Sequence, residues 1–97
     1  MVLINENIKE AMTMLENLLM NCVENETIIN FHGNIKGVTV RYSSKLDEFS
    51  IEQDNIYLVA GWFELNIEKN IMCINYSEEE NSIHIEFYDG ELDLDLE

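Results

Sequence analysis

From Thr27 to the end of the chain, apolar and polar side chains alternate in short runs, the pattern of strands that bury one face. The last stretch is the most regular. Residues 82–88 and 91–96 alternate on either side of Asp89-Gly90. Asp-Gly between two alternating runs signals a two-residue hairpin turn, because both turn positions need positive φ. The register that follows sets Tyr88 opposite Glu91, Phe87 opposite Leu92, Ile85 opposite Leu94 and Ile83 opposite Leu96. One face of the ribbon is then wholly apolar, and the other pairs Glu86 with Asp93 and His84 with Asp95. A lone hairpin is marginal in water, so the apolar face must be covered by another element.

The cover lies at the other end of the chain. Over residues 5–22, Ile8, Ala11, Met12, Leu15, Leu18, Leu19 and Cys22 recur at three- and four-residue spacings, which predicts an amphipathic helix. Asn5 or Asn7 can cap it, Asn7 and Glu10 have the spacing of a capping box, and Glu6 and Glu10 suit the positive end of the helix dipole. The helix is expected to end by about residue 25. Further strands are predicted at 27–32, 37–43, 48–53, 56–65 and 71–76, with turns at Gly33-Asn34 and Asp54-Asn55 and a charged loop over 77–81. Gly61, inside the long apolar stretch, marks a bulge or a bend. Residues 1–97 thus read as a single α+β domain, one N-terminal helix packed on one face of an antiparallel five- or six-stranded meander sheet.

Composition narrows the classes. Hydrophobic residues make up 46% of the chain, enough for a core despite a net charge of −15. No apolar run is long enough to span a membrane, and the first residues lack the basic start and apolar stretch of a signal peptide. Cys22 and Cys73 belong to no CxxC pair and sit among apolar neighbours, which reads as reduced core thiols, a helix–strand disulfide being the alternative. The cytoplasm is the expected compartment.

Chemistry is sparse. His32 and His84 fall on separate strands, and the bland reading of each is a histidine beside a carboxylate on a solvated face. No serine or cysteine has a predicted base beside it, so the chain is not expected to be an enzyme, and no cofactor motif appears. Residues 89–97 resemble a calcium loop in composition only. Alternation with leucine spreads their carboxylates along a strand, so no metal ligands are assigned. Lys9, Lys36, Arg41, Lys45 and Lys69 form no cluster, which argues against direct nucleic-acid binding.

The acidic residues carry the remaining signal. After Lys69 no lysine or arginine occurs, whereas Glu78, Glu79, Glu80, Glu86, Asp89, Glu91, Asp93, Asp95 and Glu97 all follow it. On the hairpin, Glu91, Asp93, Asp95 and Glu97 share a face at intervals of about 6.6 Å, and Glu86 joins them from the neighbouring strand. Like charges on one sheet face are destabilising, so their concentration there points to a use, an anionic surface for a basic partner. Those nine acids, together with Trp62 as an aromatic anchor, are the expected partner-binding residues.

In size, acidity and lack of catalytic motifs the chain resembles the small inhibitors made by phages and mobile elements, such as anti-restriction, DNA-mimic and anti-CRISPR proteins. The likeness is compositional and rests on no motif. It implies an inhibitor-type protein that engages a basic, nucleic-acid-handling protein. The alternative is a non-catalytic structural or regulatory component (a homo-oligomer such as a homodimer, an immunity protein or an assembly subunit) whose acidity serves only solubility.

Overall fold

The helix forms where its apolar spacing puts it. In a computed structural model that describes residues 2–4, 8–52, 55–68 and 71–97, α1 spans Ile8–Glu24. Ala11, Met12, Leu15, Leu19 and Cys22 are buried, and Leu18 lies half-buried at the border of the stripe. The predicted caps at Asn5 and Asn7, and Glu6 with them, lie outside the described residues. The C-terminus closes without glycine. Glu26 takes φ 52°, its N–H donates to Val23 O at 3.3 Å, and the Thr27 N–H donates to Cys22 O at 2.9 Å. This is the Schellman bond pattern, with glutamate in the left-handed position.

Nine strands are described: β1 (Val2–Ile4), β2 (Ile28–Ile35), β3 (Val38–Lys45), β4 (Glu48–Glu52), β5 (Asn55–Ala60), β6 (Phe63–Glu68), β7 (Ile71–Ser77), β8 (Ser82–Phe87) and β9 (Gly90–Leu96). The expected antiparallel sheet and packed helix are present, but the strands form two sheets rather than one meander. Six strands run in the order β1-β7-β8-β9-β2-β3, and β4-β5-β6 form a second, three-stranded sheet. The chain leaves the large sheet after β3, builds the small one and returns at β7. The last strand consequently sits in the interior, between β8 and β2.

Side-chain parity explains the layering. Ile29, Phe31, Ile74, Ile83, Ile85, Leu92 and Leu94 line one face of the large sheet and are buried. The helix and the small sheet together cover that face. From the small sheet, Ile56, Leu58, Ala60 and Ile67 join the same core cluster. The Phe63 ring lies 5.2 Å from that of Phe31 and 5.9 Å from that of Tyr42.

Local expectations change at the glycines. β2 runs straight through the expected Gly33-Asn34 turn. A Cβ at Gly33 would strike the Glu91 carbonyl of β9, so this glycine permits close strand approach. The turn is Lys36-Gly37, with φ of 53° and 80°, as a two-residue type I′ turn needs. The long stretch at 56–65 is not one bent strand. Ala60 pairs with Phe63, which makes Gly61-Trp62 a hairpin turn. Gly61 N–H donates to Asp47 Oδ2 at 2.6 Å and Trp62 N–H to Tyr42 Oη at 3.0 Å, tying the turn to the flank of the large sheet. The Asp54 half of the expected Asp54-Asn55 turn lies outside the described residues.

The terminal hairpin is also re-registered. Phe87 pairs with Gly90, so the loop is Tyr88-Asp89 rather than Asp89-Gly90, and neither loop residue has positive φ. Gly90 is the first residue of β9. A Cβ there would overlap the Asn34 carbonyl of β2, so close backbone approach places the glycine one step later than a turn would.

Both cysteines are free. Cys22 is in the core, but Cys73 is half-buried on the opposite face of the sheet. A bulge between Ile71 and Cys73 reverses the strand's parity there, so the thiol meets Asn75 instead of the core, and Met72 is 68% exposed. Among the described residues, no helix is long and apolar enough to cross a membrane.

Candidate functional site

The outer face of the large sheet, opposite the core, is built from the alternate residues of the same strands, and neither the helix nor the small sheet covers it. Register lays these residues out in cross-strand rows. One row runs Asn75, His84, Asp93, His32, Arg41 across β7, β8, β9, β2 and β3. A second runs Ser82, Asp95, Asn30, Ser43, and a third Cys73, Glu86, Glu91, Asn34.

Strands β8, β9 and β2 hold a connected network, with Ser43 of β3 at its border. His84 Nδ1–H donates to Asp93 Oδ1 at 2.6 Å, and His84 Nε2 lies 3.1 Å from Glu86 Oε1 and 3.9 Å from Glu91 Oε2. His32 Nε2 lies 2.9 Å from Asp95 Oδ2, and its Nδ1 is 3.9 Å from Asp93 Oδ2. Ser82 Oγ donates to Asp95 Oδ1 at 2.7 Å. Asn30 Nδ2 donates to Glu97 Oε1 at 3.3 Å and its carbonyl oxygen accepts from the Ser43 hydroxyl.

Electrostatics follow from this wiring. Partial burial pushes the His84 imidazole toward the neutral form, but the hydrogen bonds and charges of Asp93 and Glu86 outweigh it and hold its pKa above the usual 6.5. Partial burial likewise pushes the Asp95 carboxyl up, yet the Ser82 hydroxyl and His32 more than offset this and hold it below the ordinary value. Among the described residues, no lysine or arginine lies within ion-pairing distance of Glu86, Glu91, Asp93 or Asp95. Their nitrogen partners on this face are the rings of the two histidines.

The expected site residues therefore divide. Glu86, Glu91, Asp93, Asp95 and Glu97 share the outer face. Asp89 stands in the β8–β9 turn at one end of the ribbon, and Glu78, Glu79 and Glu80 stand exposed in the β7–β8 turn at the other. Trp62 is 97% exposed, but it tips the small sheet, in the layer covering the opposite face, so it does not join the acids. The expected pairs His84–Asp95 and Glu86–Asp93 are replaced by His84–Asp93 and Glu86–Glu91. The shift follows from moving the loop one residue toward the N-terminus, which moves each opposite residue by two and leaves every side chain on its face. Alternation alone sets both histidines on solvated strands and gives no sign that His32 enters the network. Its partner lies 63 residues away, and no local signal marks the β2–β9 pairing.

Comparison of the chain with protein-family models, curated proteins and solved structures finds no match.

Proposed function

We propose that the chain is a non-enzymatic, inhibitor-type binding protein whose outer sheet face engages a basic, nucleic-acid-handling protein. One observation carries the reading: Glu86, Glu91, Asp93, Asp95 and Glu97 are held on one open face of adjacent strands, with no lysine or arginine paired to Glu86, Glu91, Asp93 or Asp95 among the described residues. Strand backbones fix the spacing, so no loop has to be ordered on docking, and the potential steers a positively charged surface toward the face. The resemblance to small phage-type inhibitors and the net charge of −15 point the same way. Immobilised protein should capture a basic partner from host lysate at low salt, and added duplex DNA should release it. Capture that persists in high salt and in the presence of DNA would sink the reading.

A second reading rests on Trp62. An indole exposed at 97% on a hairpin tip is an anchor for assembly, and in that case the acids serve solubility. It predicts a mass that rises with protein concentration, is insensitive to salt, and returns to that of the monomer in Trp62→Ala.

A further inference from the structure

We propose that His84, Glu86 and Glu91 form a binding site for one divalent transition-metal cation of the zinc class. The ligand-capable atoms of these side chains all lie within 4.8 Å of one another. His84 Nε2 stands 3.1 Å from Glu86 Oε1 and 3.9 Å from Glu91 Oε2. Ligand atoms at metal distances of about 2.0–2.2 Å in a tetrahedron are separated by roughly 3.4 Å, between those two values. The trio needs little rearrangement to close on an ion.

The backbone supplies the preorganisation. His84 and Glu86 alternate on β8 and so share a face, and Glu91 of β9 is the direct cross-strand partner of Glu86. Two glutamates paired in this way repel, and a cation between them turns the repulsion into attraction. Carboxylates alone would gather any dication diffusely. The histidine makes this a site of a particular class. Its Nδ1–H is committed to Asp93 Oδ1 at 2.6 Å, which fixes the ring and leaves Nε2 as the ligating nitrogen. That carboxylate–histidine arrangement is the usual outer-shell support of a metal-bound imidazole.

Donor chemistry selects the ion. One imidazole nitrogen and two carboxylate oxygens suit zinc and its neighbours, whereas calcium takes six to eight oxygens and magnesium a near-octahedral oxygen shell. A shallow groove lined by Glu86, Glu91, Met72 and Tyr88 borders the trio and leaves the remaining coordination position open to water or to a partner's side chain. His32 supplies an internal control. It is the other imidazole of the face, bonded to Asp95 at 2.9 Å and not one of the three ligands.

The test is calorimetric titration of the intact chain with zinc chloride alone at pH 7.5 in physiological salt, with magnesium and calcium chloride as parallel arms. One zinc per chain is expected, with proton release, and an excess of magnesium or calcium should not displace it. His84→Ala should abolish saturable binding. Asp93→Asn should weaken it by about 10–100-fold, as loss of outer-shell support does. His32→Ala should leave it within a few-fold of the parent. In the unmutated, isotope-labelled protein, zinc should move the His84 Nε2 resonance and leave His32 in place, a readout that does not depend on any variant folding. The site is refuted if zinc binds no better than magnesium, or if the His84 nitrogen does not respond.

Discussion

The two faces of the large sheet come from the same strands, yet they answer to different rules. On the inner face Ile83, Ile85, Leu92 and Leu94 are interchangeable apolar surfaces, and moving the hairpin register by two residues would still pair isoleucine with leucine. On the outer face the same shift changes the chemistry. It takes His84 from Asp95 to Asp93 and sets Glu86 against Glu91 instead of against Asp93. Burial tolerates registers that keep parity, whereas hydrogen bonds and charges do not. The inner face thus carries the buried apolar packing that stabilises the fold, and the outer face carries the proposed recognition surface.

The sharpest way to break this comparison is to truncate each face in turn. Leu94→Ala should lower unfolding free energy by about 2–5 kcal/mol in urea titrations, the usual range for a fully buried leucine. Charge removal on the outer face should do far less. Glu91→Gln, whose side chain is half exposed, should leave the urea midpoint nearly unchanged or raise it slightly as repulsion with Glu86 is relieved. Equal losses from the two variants would refute the division of labour.

Next in size are the glycines that let β9 approach β2. Gly33→Ala inserts a methyl against the Glu91 carbonyl, and an overpacking cost of about 1–3 kcal/mol is expected, again by urea unfolding. A neutral result would place the residue in a loop, as the local sequence suggests.

A smaller effect, from the outer network itself, is removal of the hydroxyl that holds Asp95. Ser82→Ala should cost roughly 0.5–1.5 kcal/mol, one hydrogen bond, and should bring the Asp95 pKa back toward the ordinary carboxylate value in an NMR titration.

The smallest effect is in the pH dependence. The His84 pKa is raised in the folded chain, so its proton is bound more tightly there than in the unfolded state. Stability from this group is complete below the unfolded value near 6.5 and is lost as pH rises through the folded value. In chelator-containing buffer, thermal midpoints should decline over that upward range, and His84→Ala should remove the His84-dependent part of the decline. A midpoint that rises over the same range, with His84 intact, would reverse the assigned sign.

How much was legible in the sequence follows from the same physics. The helix stripe around Leu15 and Leu19 and the alternation of β8 and β9 are local patterns, and burial bears them out. The acids of β9 could be assigned to one face because parity needs no knowledge of neighbours. Two things were not local. The division into two sheets depends on Gly61-Trp62 acting as a hairpin turn, although an apolar run through residues 56–65 reads as one strand. The insertion of β9 beside β2 depends on Gly33 and Gly90, whose missing side chains make room for backbone; read locally, each signals a turn. His32 joins the site only through that long-range pairing.

The carboxylates of β8 and β9 are proposed to act as a fixed recognition surface. The direct measurement is the dissociation constant of the purified, captured partner for the parent chain and for the combined Glu91→Gln, Asp93→Asn, Asp95→Asn variant, across a range of salt. A recognition surface of this kind gives affinity that falls steeply with salt for the parent, and a variant that binds at least about tenfold more weakly at low salt with a flattened dependence. A variant that binds as tightly as the parent, with the same salt dependence, would contradict it.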